Sequence, residues 1–454
     1  MSNISEERRC HPRVKINLRV GIPEKGSGTS FDLSESGMNI DSVETISSPN
    51  ILLKIDFPNN ELELKTEAKL VWKRDLENGS SVYGVEFIGL SDAQKVVLRK
   101  ELIEAQIKEL LDGIKDNKIK ADISNFFLED ILIYTNEVNK IISHLSKNIT
   151  YSEEIEKKIA HLNNQILLKG CCLEELIDNK VVMNKSKEHF RALVGMWAYK
   201  SVIVKRGFEK PRGYPGDYLM IETVYNNRTL TESGIGYYFD KYFLSNPYAV
   251  AVRYRKDRLR EIIKKEIQQS KAEKIKIFDI ACGSCREIKE LPHSLFKDKT
   301  VIFTCLDWDQ EALDFSRDSL KDFSKNSKFN FIREDIMNLI KDEKLIDSFE
   351  KQDLVYSIGL IDYLPDRILK SFMQFFYGIT GEKGKLVLTH KNKEKTFSPL
   401  SPDWFCNWKF VPRSKDEVVN LFYNCGIKDF SLSIEVDEFN DIFYFTFVKQ
   451  HNIK

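Results

Sequence analysis

The sequence has no net charge to offer. Its 69 Lys and Arg residues balance 69 Asp and Glu. No global field therefore draws the chain to nucleic acid or to an anionic membrane, and no nucleic-acid partner is expected. Long apolar runs are missing as well: none approaches the roughly 20 residues of a membrane span. The first residues, Met-Ser-Asn-Ile-Ser-Glu-Glu-Arg-Arg, lack the apolar centre of a signal peptide. These absences make a cytoplasmic location the expectation. The eight cysteines follow no regular framework, so free thiols in a reducing compartment are expected rather than disulfides. Internal repeats and low-complexity tracts are lacking too. What remains is 42% hydrophobic and 30% charged residues over 454 positions, the composition of folded domains. That length exceeds one ordinary core, so two or three domains are expected.

Residues 14–90 read as short strands. Residues 14–20 alternate apolar and polar with period two, and residues 51–57 form another such run. Residues 62–72 and 81–87 make a hairpin across Asn78-Gly79, a good turn dipeptide. An all-β module, a small barrel, is predicted. At Ser91 the period changes. Ser91 is a suitable N-cap, and Leu98, Leu102, Ile107, Leu110 and Ile114 recur at helical spacing. Helical character continues through 126–145 and 155–176. Residues 106–190 are therefore predicted as a helical connector. A layer packed on the C-terminal domain is its simplest role; a cap over that domain or a homodimer contact are the alternatives. From Lys274 onward, short apolar strands at 276–280, 300–306, 353–356 and 385–389 alternate with helical stretches. That order implies a parallel sheet covered on both faces.

Two places in this layout carry chemistry. Arg9 and Arg13 precede the first strand, and Asp32, Ser34 and Gly37 lie in a turn between strands. Arginine suits phosphate because its planar fork donates two parallel bonds, and its face stacks on bases. The turn adds a carboxylate, a hydroxyl and free backbone N–H groups. Either half alone suggests a solvated basic segment or an ordinary turn. Together, ahead of a β module ending Tyr83-Gly84-Val85-Glu86-Phe87, Arg-x-x-x-Arg and Asp-x-Ser-x-x-Gly resemble the PilZ family over residues 5–105. The resemblance implies cyclic di-GMP binding, with Arg9 and Arg13 clamping guanine and phosphate and Asp32, Ser34 and Gly37 completing the pocket. His11, between the arginines, is expected to be exposed.

The second place is Asp279-Ile280-Ala281-Cys282-Gly283-Ser284-Cys285, between a predicted strand and a helix. A tight turn of small residues lets backbone approach a cofactor. Asp307 ends the next strand, where a carboxylate can accept both ribose hydroxyls. Glu334-Asp335 follows the third strand, placing an acid near an adenine amino group. Cys-Gly-Ser-Cys also fits a redox site. A zinc site would want a second Cys pair, and none is suitably spaced, so no metal is expected. The acids at the strand ends are unexplained by redox chemistry. Their order resembles class I S-adenosylmethionine-dependent methyltransferases, a Rossmann-like α/β fold. The resemblance implies that Asp279, Ala281, Cys282, Gly283, Asp307, Trp308, Asp335 and Ser357 hold S-adenosyl-L-methionine. Ala281 and Cys285 stand where many members have glycine.

After the fourth strand, Tyr356-Ser357-Ile358-Gly359-Leu360-Ile361-Asp362-Tyr363-Leu364 lacks the Asn/Asp-Pro-Pro-Tyr of nucleic-acid amine methylators. Gly213-Tyr214-Pro215-Gly216-Asp217-Tyr218, the loop ending Cys285-Arg286-Glu287, and Val355-Tyr356-Ser357-Ile358-Gly359-Leu360-Ile361-Asp362-Tyr363-Leu364 resemble methyltransferases associated with 3-hydroxy fatty acid methyl ester signals. That resemblance runs over about residues 190–450. It implies a small acyl substrate methylated on its carboxyl group, a nucleophile that needs no general base. Asp217, Asp362, Tyr363 and His390 are the candidate catalytic residues. Tyr214, Tyr218, Trp404 and Trp408 suit either packing or a lid over an apolar pocket. The whole implies a multidomain chain: a barrel over 1–105, a helical connector over 106–190 and a methyltransferase over 191–454, acting as a cyclic di-GMP-responsive enzyme. The alternative is a non-catalytic effector that passes the nucleotide signal to a protein partner.

Overall fold

The computed structural model describes residues 13–23, 26–57, 63–145, 151–341, 343–395, 397–427 and 429–450. By compactness the chain divides into two units. One runs to Ser201 and takes in Glu232–Phe239; the other comprises Val202–Thr231 and the chain from Asp240 onward.

The first unit opens with six strands: β1 (Val14–Ile22), β2 (Gly26–Ser34), β3 (Gly37–Ser42), β4 (Asn50–Asp56), β5 (Glu63–Asp75) and β6 (Ser81–Ile88). They close into an antiparallel barrel in the order β1-β2-β3-β6-β5-β4. Closure leaves no edge strand open to pairing. Period-two alternation turns Leu18, Val20, Leu33, Ile40, Leu53 and Ile55 inward to one core. The helix Asp92–Asp112 starts at a capping box between Ser91 and Gln94, and its Leu98 and Leu102 join that core. Helices Leu132–Leu145, Glu153–Leu176 and Lys180–Ala198 follow, the first entered through a π-helical turn, Phe126–Ile131. Residues 106–190, read from the sequence as a connector, thus fall in the same compact unit as the barrel.

The second unit is built on a seven-stranded sheet: β7 (Lys274–Ile280), β8 (Thr300–Asp307), β9 (Ser327–Arg333), β10 (Gln352–Ile358), β11 (Thr380–Lys391), β12 (Phe430–Val436) and β13 (Ile442–Lys449). Its order is β12-β13-β11-β10-β7-β8-β9. Strands β7 to β11 are parallel, and β13 runs antiparallel to both neighbours. The strands are apolar on both faces because helices cover both. Phe278, Val355 and Leu386 pack on one side with Phe372 and Phe376; Ile277, Leu354 and Tyr356 pack on the other with Leu259 and Ile263. The strand order reverses between β7 and β10, so a crevice opens at their C-terminal ends. Among the described residues no helix is long and apolar enough to cross a membrane.

Candidate functional site

In the barrel, Asp32 is the hub. Its carboxylate accepts from Arg13 Nη1 at 2.6 Å, from the Asn39 backbone N–H at 2.9 Å and from Asn39 Nδ2 at 2.6 Å. The pairing of β2 with β3 sets Asp32 opposite Asn39, just past a register shift. Ser34 Oγ donates to the Gly37 carbonyl at 2.9 Å. A Cβ at Gly37 would lie 2.0 Å from the Val85 carbonyl oxygen, so only glycine lets β3 and β6 pair there. Gly37→Ala is expected to cost the full chain about 2 kcal/mol in denaturant unfolding. An unchanged midpoint would mean that β6 yields without strain. Next to this turn, Arg99 Nε bonds Glu35 at 2.7 Å while its Nη1 bonds Asn136 at 2.8 Å, tying the turn to two helices of the same unit. Arg9 and His11 lie outside the described residues.

In the second unit a cavity of about 560 Å³ opens at the strand-order reversal. Its polar end is made by Ala281, Gly283 and Ser284 after β7, Asp307 and Trp308 at the end of β8, and Asp335 after β9. Asp307 organises this end. One oxygen accepts the Gly283 N–H at 2.9 Å and the other the Asp309 N–H at 3.0 Å. Burial raises its carboxyl above the usual range despite those bonds. Ser316 Oγ fastens the loop further by donating to the Gly283 carbonyl at 2.7 Å. Ala281 and Cys285 adopt left-handed φ values of 56° and 47°, a region that favours glycine. Each costs about 1 kcal/mol relative to an ordinary backbone.

A second loop covers the first. Arg212 reaches both Asp309 oxygens at 2.9 and 3.0 Å, and Tyr214 sets its ring 5.3 Å from that of Trp308. Gly216, at φ 72°, leaves room for Trp408, whose ring would lie 2.7 Å from a Cβ there. Tyr214, Tyr218 and Trp408 all line the cavity. So does Tyr363, whose hydroxyl accepts the Trp408 Nε1–H at 2.8 Å. Trp404 is buried in packing instead.

Several predicted site residues stand behind the cavity wall rather than in it. The Asp217 carboxylate caps the helix Tyr218–Asn226 through the Met220 N–H and pairs with Arg206, so its lone pairs are spent on structure. Asp362 accepts the Lys391 backbone N–H at 2.8 Å. His390 is fully buried, with Nδ1 donating to the Lys391 carbonyl and Nε2 accepting from Arg413. Ser357 Oγ donates to the Ile280 carbonyl between strands. Asp279 is buried beneath the loop. Ala281, Cys282, Gly283, Asp307, Trp308, Asp335 and Tyr363 are the predicted residues that the fold brings together around one space.

Residues 7–105 match a family model described as "PilZ domain", and residues 187–335 match one described as "Putative methyltransferase". The chain joins a PilZ domain to a methyltransferase-family domain. Nothing among curated proteins matches it. Among solved structures, a Bordetella parapertussis protein described as a possible exported protein is 16% identical, with 64% of this chain and 88% of that one covered and a TM-score of 0.42. Magnesium protoporphyrin IX methyltransferase from Synechocystis PCC 6803, with bound SAM, is 10% identical over 45% of this chain and 85% of that one, at a TM-score of 0.33. N-methyltransferase NodS from Bradyrhizobium japonicum WM9 is 12% identical over 43% and 98%, at 0.31.

Two charged residues of the methyltransferase domain's cavity escaped the sequence reading. Arg255, on the helix Pro247–Gln269, is only 4% exposed, and it is the one cation among the described residues lining the cavity. Its Nε has no hydrogen-bond partner. Gly359, at φ 90°, makes space for it: a Cβ there would sit 2.8 Å from Arg255 Nη1. A signal was present. Tyr248, Val252, Leu259 and Ile263 form a buried stripe at helical spacing, and Arg255 interrupts it. Glu287 is the other. Burial, with the Cys285 thiol beside it, pushes its carboxyl up to about 7, and it accepts the Tyr356 hydroxyl at 2.9 Å.

Proposed function

We propose that the second unit is an S-adenosyl-L-methionine-dependent methyltransferase acting on the carboxyl group of a small acyl substrate, and that the barrel binds cyclic di-GMP as its regulatory ligand. The observation that carries the catalytic half is the two-ended cavity. One end offers Asp307, Asp335 and a backbone turn; the other is apolar, with Met220, Val224, Leu244, Val252 and Leu360, and contains a single buried guanidinium.

The polar end suits the cofactor. Each Asp307 oxygen holds one backbone N–H and keeps a lone pair, enough for two vicinal hydroxyls. Trp308, half exposed, presents a flat face for a purine. A Cβ on Gly283 would meet nothing nearer than 3.8 Å, so the backbone there is open to a ligand. When bound, the cofactor supplies an electrophilic methyl group on a sulfonium. Arg255 would receive the substrate carboxylate through its planar fork and hold one oxygen toward that methyl. The apolar wall would take the acyl chain and exclude water. A carboxylate needs no proton removed, which agrees with Asp362, His390 and Asp217 standing away from the cavity. A titration with labelled S-adenosyl-L-methionine tests the enzyme reading. Micromolar binding is expected, and no binding at millimolar cofactor would overturn it.

For the barrel, Arg13 is held by Asp32 in a fixed pose beside the Ser34–Gly37 turn. With Arg9 it would grip phosphate and guanine. Arg13→Ala is expected to weaken cyclic di-GMP binding about thirtyfold, consistent with loss of a charge-assisted contact of about 2 kcal/mol. Cofactor affinity should stay unchanged in the same chain. Loss of both affinities would point to unfolding, and loss of neither would remove Arg13 from the site.

A further inference from the structure

Two thiols and a carboxylate meet beneath the loop that follows β7, and a third thiol lies in the loop itself. Parallel pairing sets Asp279 of β7 beside Cys305 of β8. The loop then folds back on both strands: the Cys282 N–H bonds the Leu306 carbonyl at 3.0 Å, and the Cys285 N–H bonds the Cys282 carbonyl at 3.0 Å. One ligand atom each from Asp279, Cys285 and Cys305 lie within 4.8 Å of one another. Cys282 stands three residues before Cys285 in the same loop. All four side chains are buried.

We propose that Cys285, Cys305 and Asp279 form a zinc site, with Cys282 of the same loop as its fourth ligand, that clamps the cavity loop to β7 and β8. From the sequence no metal is expected, because zinc would want a second Cys pair. The fold supplies the missing donors differently, one thiol from the neighbouring strand and one carboxylate from the strand before the loop.

Geometry and charge both support the site. Zinc with thiolates at about 2.3 Å has ligand atoms about 3.8 Å apart, so side-chain shifts of about 1 Å would close the cluster. The charge environment adds to it. Asp279, Cys285 and Glu287 are three acidic groups buried side by side. Among the described residues no Lys or Arg forms an ion pair with any of them. Asp279 Oδ2 accepts no hydrogen bond of ordinary geometry. Asp279 is thus a buried donor with an unpartnered oxygen, and a dication bound by the thiols would occupy it. Packing alone accounts for buried cysteines one at a time. It does not account for two of them, one from a loop and one from a strand, gathered on one unsatisfied carboxylate. The assignment is independent of the methyl-transfer reading.

The test uses the full chain, purified without chelator. One zinc per chain is expected by elemental mass spectrometry. After removal with a strong chelator, the melting temperature should fall, and added Cd²⁺ should restore it while producing thiolate charge-transfer absorption that saturates at one equivalent. Cys305→Ser and Asp279→Asn should each weaken Cd²⁺ affinity about tenfold or more, while Cys171→Ser leaves it unchanged. Should a variant fail to fold, the Cd²⁺ titration of the unaltered chain still decides. A folded chain that carries no metal and shows no thiolate absorption with Cd²⁺ or stabilisation by Zn²⁺ would overturn the site. So would a disulfide among the three cysteines in freshly isolated protein.

Discussion

Asp307→Ala is expected to weaken S-adenosyl-L-methionine binding about a hundredfold, or about 3 kcal/mol, in calorimetric titration of the full chain. The reason is that one carboxylate does two jobs. It holds Gly283 and Asp309 by their backbone N–H groups, which shapes the turn, and it keeps a free lone pair on each oxygen facing the cavity. Alanine removes the charge-assisted bonds and leaves the Gly283 N–H without its partner. Asp307→Asn keeps the size but turns one acceptor into a donor, so an intermediate loss of about tenfold is expected. A folded alanine variant that binds the cofactor as tightly as the parent would remove the loop from the cofactor site.

Arg255→Met is expected to lower kcat/KM for a carboxylate substrate by about two to three orders of magnitude, with cofactor affinity nearly unchanged. A buried guanidinium with an unpartnered Nε does little for stability. Methionine of similar length should therefore leave the melting temperature equal or higher. This pairing of effects separates an anchoring role from a structural one. Arg255→Lys should recover little, because an ammonium cannot present the planar fork. An uncharged acceptor, if methylated at all, should be indifferent to the change. Full activity in Arg255→Met would place the substrate's charge elsewhere.

The fold was legible where local chemistry and tertiary structure agree. Alternation marked β1 and β4, Asn78-Gly79 marked the β5–β6 hairpin, and Ser91 marked a helix that does begin with a capping box. The short apolar runs of β7, β8 and β10 stood out because a sheet covered on both faces needs them. β2 and β3 were hidden by Gly, Ser and Asp, which read as a turn; barrel closure, not propensity, extends them. For the cavity, the sequence marked Ala281, Asp307 and Asp335 because strand ends converge at a switch point whatever the side chains. Asp217 and His390 stand outside the cavity lining, since a helix cap and a buried strand-end histidine look like polar site residues until their partners are known. Arg255 and the third thiol, Cys305, depend on contacts across long sequence separations, which no local pattern records.

The reaction we propose for this chain is transfer of a methyl group to a small acyl carboxylate under the control of a nucleotide. The most direct measurement is mass spectrometry of the products formed when the full chain is incubated with methyl-labelled S-adenosyl-L-methionine and a cell extract's acidic lipids, with and without cyclic di-GMP. Labelled, base-labile methyl esters are expected, with a yield that changes when the nucleotide is present. Unchanged yield would contradict the regulatory half. Cyclic di-GMP binding with no labelled product under any condition would contradict the enzyme and leave a nucleotide-binding effector in its place.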